Sequence, residues 1–228
     1  MAEKPRHELK YFISAADARV LARHLASVLR RDIHAGENGE YSIRSLYFDD
    51  FRNSAYRDKV DGAPERAKYR LRIYNGSDEV IFLEKKKKMG DLIRKSDVRI
   101  TRRLAEQLID GNPAGLAASQ SPLLRDMFVQ MRVNLLRAKV IVDYEREAFT
   151  FPAENVRITL DKRVRSGLAC VDLFDPQIAT VPVYPASQTV LEVKYDRVLP
   201  DFLPPILSLI PAQRSAISKY TACRALSV

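Results

Sequence analysis

Residues 68–74 read KYRLRIY: Lys68, Arg70 and Arg72 stand at alternate positions, with Tyr69, Leu71 and Ile73 between or beside them. Successive side chains of a strand point to opposite faces, so the three cations share one face and the apolar residues share the other. Asn75-Gly76 follows, a strong short-range signal for a tight hairpin, and Glu79 to Lys87 (EVIFLEKKK) supplies the returning strand. On that strand Phe82, Glu84, Lys86 and Lys88 fall on one face, while Ile81 and Leu83 point away.

The same alternation recurs along the chain. Arg6, Glu8 and Lys10 share a face in RHELKYFI (Arg6 to Ile13). Arg157, Thr159 and Asp161 oppose Val156, Ile158 and Leu160, and Glu192 and Lys194 oppose Leu191 and Val193. For any single strand the ordinary assignment is apolar side inward and charges in solvent. Two features turn it round for the set. The polar positions are dominated by Arg, Lys and Glu rather than Ser, Thr or Gln, and the amphipathic helices supply enough apolar surface to cover the outside of a barrel. Charged faces would then line the inside, which is costly unless the ions pair or meet a ligand. An interior rich in Lys and Arg implies a polyanion. Arg presents a planar fork to phosphate oxygens and Lys a compact charge, while Glu192 and Glu8 suit a hard divalent cation.

Composition agrees with an anionic partner. The chain has 228 residues, 46% hydrophobic and 29% charged, with 38 Lys plus Arg against 29 Asp plus Glu. The hydrophobic content and mixed charge exclude disorder, and the length suits one domain, 1–228. On composition alone nucleic acid ranks first among partners. The basic residues on alternating inward positions and the lack of interleaved exposed aromatics argue against it. Cys170 and Cys223 lack metal-site or disulfide-framework spacing, and His7, His24 and His34 show no ligand spacing, which leaves them as surface or packing residues. Lys85, Lys87 and Lys88 read as a solvated run. The opening MAEKPRHELK has no apolar stretch of the signal-peptide kind, and no segment has the length of a membrane span, so a cytoplasmic protein is expected.

Around these strands the pattern places a helix from Ala15 to Arg31 behind Ser14 as N-cap, and a strand over Tyr41 to Phe48 with a turn at Asp49-Asp50. A further strand or strand pair runs from Asp91 to Ile100. Helices over Thr101 to Ile109 and Ser121 to Leu136 form an insertion of about 101–137. Strands resume over Lys139 to Phe151, Val156 to Val164 and Thr189 to Tyr195, and a closing helix is expected over Ser215 to Leu226. Strands and helices do not alternate regularly, so a parallel βαβ fold is disfavoured and an antiparallel barrel or α+β sheet fits better. Neither GxxxxGK[ST] nor GxGxxG occurs.

The residues RHELKYFI, IRSLYFDD, KYRLRIYN, FLEKKKK, DYEREAF, RITLDKRVR, VLEVKYDRVLP and ISKY occur in the order of the VTC domain, and nearly the whole chain resembles that branch of the triphosphate tunnel metalloenzyme (CYTH-like) superfamily. The resemblance implies a closed eight-stranded antiparallel β-barrel, α+β in class, with helices packed outside and basic walls within. It implies a polyphosphate polymerase that moves the γ-phosphoryl of ATP onto a polyphosphate chain with Mn²⁺ or Mg²⁺. It assigns phosphate binding to Lys10, Arg44, Arg70, Arg72, Lys86, Arg146, Arg157 and Lys219, with Ser218 a polar contact near the tunnel end. Lys10, Arg70, Arg72, Arg146, Arg157 and Lys219 would be the catalytic set. Glu192 becomes the metal ligand, and Glu8, Glu84 and Asp161 are weaker candidates for metal or for holding the cations. The superfamily's first-strand ExExK reads Arg6-His7-Glu8-Leu9-Lys10 here; the first Glu is lost to Arg6, which suits the polymerase branch and disfavours the two-metal hydrolases. A triphosphatase, a non-catalytic polyphosphate or inositol-phosphate sensor, and a membrane-protein partner remain as alternatives beside it.

Overall fold

In the computed structural model of the chain, which describes residues 6–90 and 92–228, the first strand β1 (His7–Ser14) runs into helix α1 (Ala15–Val28). The Ser14 side chain accepts from the Asp17 N–H and so caps α1. Helix α1 ends before the expected Arg31. Leu29 turns extended, and Arg30–Arg31 becomes a short strand, β2, paired with Thr150 and Phe149. Next come β3 (Glu40–Asp49), the short helix α2 (Ser54–Val60), β4 (Glu65–Tyr74), β5 (Ser77–Met89) and β6 (Leu92–Ile100). The expected strand start at Asp91 lies outside the described residues. Helices α3 (Arg102–Ile109) and α4 (Pro122–Val133) occupy the insertion, as the helical periodicity requires. The chain finishes with β7 (Arg137–Phe151), β8 (Val156–Ser166), β9 (Val181–Pro182), β10 (Gln188–Tyr195), α5 (Leu203–Leu207), β11 (Gln213–Arg214) and α6 (Lys219–Arg224).

One antiparallel sheet takes up all the strands, in the order β11-β1-β10-β8-β7-β3-β4-β5-β6, with β2 added to β7 and β9 to β8. It has 11 strands rather than eight; β2, β9 and β11 are two-residue additions to eight strands of at least eight residues. Nor is it closed into a barrel. Closure would need main-chain pairing between β6 and the free edge of β1. That edge is already used: Gln213 and Arg214 pair with Phe12 and Tyr11, and the Ser215 N–H donates to the Lys10 carbonyl at 2.9 Å. The closing helix is shorter than expected, α6 starting at Lys219 behind Ser218 as its N-cap. Side chains bridge the gap instead, with Lys86 of β5 reaching Glu8 of β1 at 2.6 Å and Lys68 of β4 reaching Ser218 at 3.1 Å. Arg94, Lys95 and Arg99 on β6 keep that open edge charged, the usual protection against edge-to-edge pairing.

The β4–β5 hairpin turns on Asn75 and Gly76, at φ 52° and 67°, the paired left-handed conformation of a tight turn that matches strand twist. Its register puts Lys68 opposite Lys86 and Arg70 opposite Glu84. On the far face Leu46, Phe48, Tyr69, Leu71, Ile73, Ile81 and Leu83 pack against Ala105 and Leu108 of α3 and Leu123, Met127 and Met131 of α4. At the other end of the sheet Ile158, Leu160, Leu191 and Val193 pack against Ala18, Leu21 and Leu25 of α1. Both clusters sit on the face opposite the cations, so the inverted assignment of the strands holds. A third cluster, Tyr41, Ile43, Tyr47, Val140, Val142 and Tyr144 with Tyr220 and Cys223, places α6 on the charged face itself. Cys170 and Cys223 are free thiols. Among the described residues no helix is long and apolar enough to cross a membrane.

Gly76→Ala isolates the turn's backbone demand, because an added Cβ meets nothing within 4 Å. The substitution should lower unfolding free energy by about 1–2 kcal/mol, the cost of a left-handed L-residue, measured as a shift in the urea midpoint at constant m.

Candidate anion-binding cavity

Each of the eight long strands contributes at least one side chain to a cavity of about 610 Å³ on the charged face. Its walls carry nine Lys and Arg side chains, Arg6, Lys68, Arg70, Arg72, Lys86, Lys95, Arg146, Arg157 and Lys194, against Glu8, Glu79 and Glu84. Cations of this number within low-dielectric walls focus a positive potential into the cavity.

Glu84, 2% exposed, organises one wall. It binds Arg70 at 2.6 Å and Lys95 at 3.0 Å, with Arg72 at 3.8 Å. Burial alone would raise its carboxyl, but Arg70, Arg72 and Lys95 outweigh burial and hold it far below the usual carboxylate range. Arg70 also donates to the Tyr47 hydroxyl at 2.6 Å, and Arg72 to Ser45 Oγ and the Tyr144 hydroxyl, each at 3.2 Å. Both guanidinium planes are therefore fixed before any ligand arrives.

A second network runs behind the opposite wall. Lys10 bridges Glu8 at 3.2 Å and Glu192 at 3.0 Å, while Lys194 holds the other Glu192 oxygen at 2.7 Å. Asp161 takes a bidentate pair from Arg146 at 2.6 and 2.8 Å and also an ion pair from Lys219, whose Nζ lies 3.7 Å from Glu192. Burial works against the charge on Glu192, yet Lys10, Lys194, Lys219 and Arg146 together keep it ionised. Arg157 is anchored by Asp32 at 2.6 Å and by the Tyr41 hydroxyl at 2.9 Å.

Lys68 and Lys86 differ from these. Lys68 Nζ meets Ser218 Oγ at 3.1 Å and the Tyr220 ring at 4.6 Å, and among the described residues no carboxylate lies within ion-pairing distance of it. Burial, with Lys10, Lys86, Lys59 and Arg66, pushes its ammonium well below the ordinary lysine value. Among the described residues Lys86 has one ion-pair partner, Glu8, yet burial aided by Lys10 and Lys194 lowers it to about 8. The cavity carries more positive charge than its own carboxylates neutralise.

Of the expected site residues, the structure brings Arg70, Arg72, Lys86, Arg146 and Arg157 to the cavity wall, together with Glu8 and Glu84. Lys10, Lys219, Glu192 and Asp161 form the ion network next to it. Ser218 caps α6, accepting from the Thr221 N–H, and receives Lys68. Arg44 is not with them. It lies on the other side of β3, where Asp143 holds it at 3.0 Å and the Asp175 carbonyl accepts from it. Its neighbours Ile43 and Ser45, one residue off, face α6 and Arg72. Lys68, Lys95, Lys194 and the tyrosines at 41, 47 and 74 line the wall without having been assigned a binding role, and so does His34. Parity identifies Lys68 and Lys194; the tyrosine hydroxyls have no sequence signal, because their role comes from cross-strand register. Lys85, placed in a solvated run, instead pairs with Asp126 of α4 at 2.7 Å.

A divalent cation would find a limited donor set. Among the described residues no three His, Cys, Asp or Glu side chains cluster as a complete cage. Glu8 Oε1 accepts no hydrogen bond by geometry but is ion-paired to the Lys10 ammonium, which also contacts Glu192. These two carboxylates are the hard oxygen donors nearest each other at the cavity, and a cation there would have to displace Lys10 and draw its remaining ligands from an anionic substrate and water.

Glu84→Ala should destabilise the protein by about 3–5 kcal/mol, because it strands Arg70, Arg72 and Lys95. Millimolar sulfate should raise the melting temperature of the variant more than that of the parent, as read by differential scanning calorimetry. No shift in either protein would mean that the cavity holds no surplus charge.

Comparison with solved structures places the fold among proteins of similar architecture. A candidate adenylyl cyclase from Hippeastrum, described as having a dominant triphosphatase activity, superposes with a TM-score of 0.62 at 13% identity, covering 98% of this chain and 97% of that one. A candidate adenylate cyclase from Bacillus halodurans gives 0.50 at 13% identity, covering 85% and 81%. No curated protein sequence matches. The family described as the VTC domain matches residues 5–228. With nearly its full length inside that match, the chain belongs to the VTC domain family.

Proposed function

We propose that the protein is a phosphotransferase that binds a linear triphosphate in the cavity and moves the terminal phosphoryl group of ATP onto a polyphosphate chain. The observation that carries the proposal is the charge surplus: nine cations on the wall against Glu8, Glu79 and Glu84 there and Asp161, Asp32 and Glu192 behind Arg146, Arg157 and Lys194, with Lys68 lacking a carboxylate partner among the described residues. A linear phosphate chain supplies negative charge along its length, which suits the row of Lys68, Arg70 and Arg72 on alternate residues of β4.

Phosphoryl transfer needs positioning and charge neutralisation more than covalent help. Arg70 and Arg72, held by Glu84, Tyr47, Ser45 and Tyr144, present fixed guanidinium groups to phosphate oxygens. Lys68, Lys86 and Lys194 supply further positive charge, and Arg146 and Lys219 neutralise the group in transit from their anchor on Asp161. Glu192 and Glu8 are the residues that would hold a divalent cation, and such an ion would supply further charge neutralisation to the phosphates. Lys10, between these two carboxylates, keeps both ionised and oriented. Arg44 takes no part in this mechanism.

Hydrolysis of triphosphate is the second reading. It is favoured by the triphosphatase described for the Hippeastrum structure, and the same cavity would serve with water as acceptor. Incubation with ATP and Mn²⁺ or Mg²⁺ separates the two: phosphate chains on a sizing gel support transfer, whereas orthophosphate alone supports hydrolysis. Glu192→Gln should reduce turnover at least 100-fold and also lower the melting temperature, because Lys10, Lys194 and Lys219 lose a shared buried carboxylate; turnover at the parental rate in the folded variant would remove Glu192 from the metal site. Chelation should stop turnover without abolishing triphosphate binding.

The depressed lysines make binding pH-dependent. Lys86 is protonated below about 8 in the free protein and loses its charge above it, so triphosphate affinity should fall as pH rises through 8 and binding should take up a proton there. Stability should move the other way. Between about 8 and the ordinary 10.5, the unfolded chain holds more protons at Lys86 than the folded one, so its contribution to unfolding free energy rises with pH. Calorimetry in two buffers of different ionisation enthalpy reads the proton uptake.

A further inference from the structure

Helix α4 is apolar on two opposite sides. Leu123, Met127 and Met131 pack into the core on the outer face of the sheet. Val129 and Val133, 49% and 70% exposed, point the other way, interleaved with the exposed Arg125 and Arg132. Positions 125, 129, 132 and 133 recur at helical spacing, which puts them on one side. Asp126 is turned inward to Lys85 and the Tyr69 hydroxyl, so it does not neutralise that side. Among the described residues neither Arg125 nor Arg132 forms an ion pair. Leu135, just past the helix, is 48% exposed at φ 50°, a left-handed position that Gly or Asn ordinarily fills. Beside α4 the open edge strand β6 adds Leu92, 52% exposed, and Arg94. These two share parity with Val98 and Ile100, which belong to the core that α4 covers.

We propose that the outer side of α4 docks on an anionic membrane surface, with its arginines against the lipid headgroups and Val129, Val133 and Leu135 at the boundary with the acyl chains. Charge and apolar character decide the occupant together. A nucleic acid would engage the arginines and gain nothing from aliphatic tips. A second copy of the chain, seated symmetrically, would bring Arg125 and Arg132 toward their own copies. Anionic lipid suits both features: each Arg near such a surface strengthens binding about fivefold, and aliphatic side chains gain by leaving water. With 12 residues the helix is too short to span a bilayer, and its other side is committed to the core, so the contact is peripheral. Nothing in it depends on which ligand the cavity takes.

Sedimentation of the full chain with large vesicles tests the proposal, using phosphatidylcholine alone and phosphatidylcholine mixed with an equal part of phosphatidylglycerol. The parent should bind the mixed vesicles at least about 10-fold better than the neutral ones, and about 0.5 M salt should release it. Arg125→Gln with Arg132→Gln should weaken binding roughly 25-fold, and Val129→Ser with Val133→Ser roughly 10-fold. In Leu135→Gly, glycine removes the left-handed penalty, so the melting temperature should hold or rise while vesicle binding falls. Equal binding to both kinds of vesicle, binding to neither, or parental binding by the folded arginine and valine variants overturns the proposal. Release from the vesicles by submillimolar tripolyphosphate would assign the lipid contact to the cavity and overturn it too. A dimer in light scattering that Val133→Ser dissociates would do the same, because a second copy would then cover this side of α4.

Discussion

Desolvation of charge is the constraint on which the rest of the molecule depends. Strands β1, β4, β5, β7, β8 and β10 all turn ionic side chains to the same face, and a buried ion without a partner costs several kcal/mol. The sheet answers with carboxylates placed so that each serves several cations: Glu84 for Arg70, Arg72 and Lys95, Glu192 for Lys10, Lys194 and Lys219, Asp161 for Arg146 and Lys219. Such sharing leaves positive charge over. A fold that neutralised every lysine would be better solvated internally and would attract nothing.

That face can be ionic because the other one carries the stability. Leu71, Ile81 and Leu83 are fully buried against the α3–α4 insertion, and Ile158, Leu160 and Val193 against α1, each contributing about 1.5–3 kcal/mol of burial. The insertion is therefore the lid of an outward-facing core. Lys85 shows how finely the two faces are divided. Its neighbours Glu84 and Lys86 point into the cavity, while Lys85 crosses the outer face to Asp126 and lies 5.0 Å from the Tyr69 ring, tying α4 to the sheet. Helix α6 is the exception to the layering. Its Tyr220 hydroxyl reaches Asp49, whose carboxylate also accepts the Ala55 and Tyr56 N–H groups at the start of α2, so α2 and α6 are fixed to one another at the charged face.

Much of this was legible in the sequence because the strand period is two residues and the charges keep to it. Lys68, Arg70 and Arg72 needed no tertiary information to be placed on one face, and the turn at Asn75-Gly76 set their register with Lys86 and Glu84. What sequence could not supply came from the chain's end and from cross-strand geometry. Gln213 to Ser215 occupy the edge of β1, so the sheet stays open where a closed barrel was expected, and no local pattern in those residues announces it. Arg44 was carried to the site by resemblance, whereas its own parity with Leu46 and Phe48 already placed it on the outer face, beside Asp143. The tyrosine hydroxyls on Arg70, Arg72 and Arg157 depend on which strands become neighbours, which is a property of topology.

Cations draw in any polyanion and cannot by themselves tell which end of a ligand enters first. The field of Lys68, Lys86 and Arg70 is felt across the cavity, so charge governs capture. Arg146 and Lys219 differ from Lys68 in that their shared hold on Asp161 fixes both on one wall, whereas Lys68 meets a hydroxyl and a ring. The side chains whose charge is matched by carboxylates are held in place, and the one without a carboxylate partner among the described residues is left to meet an anion.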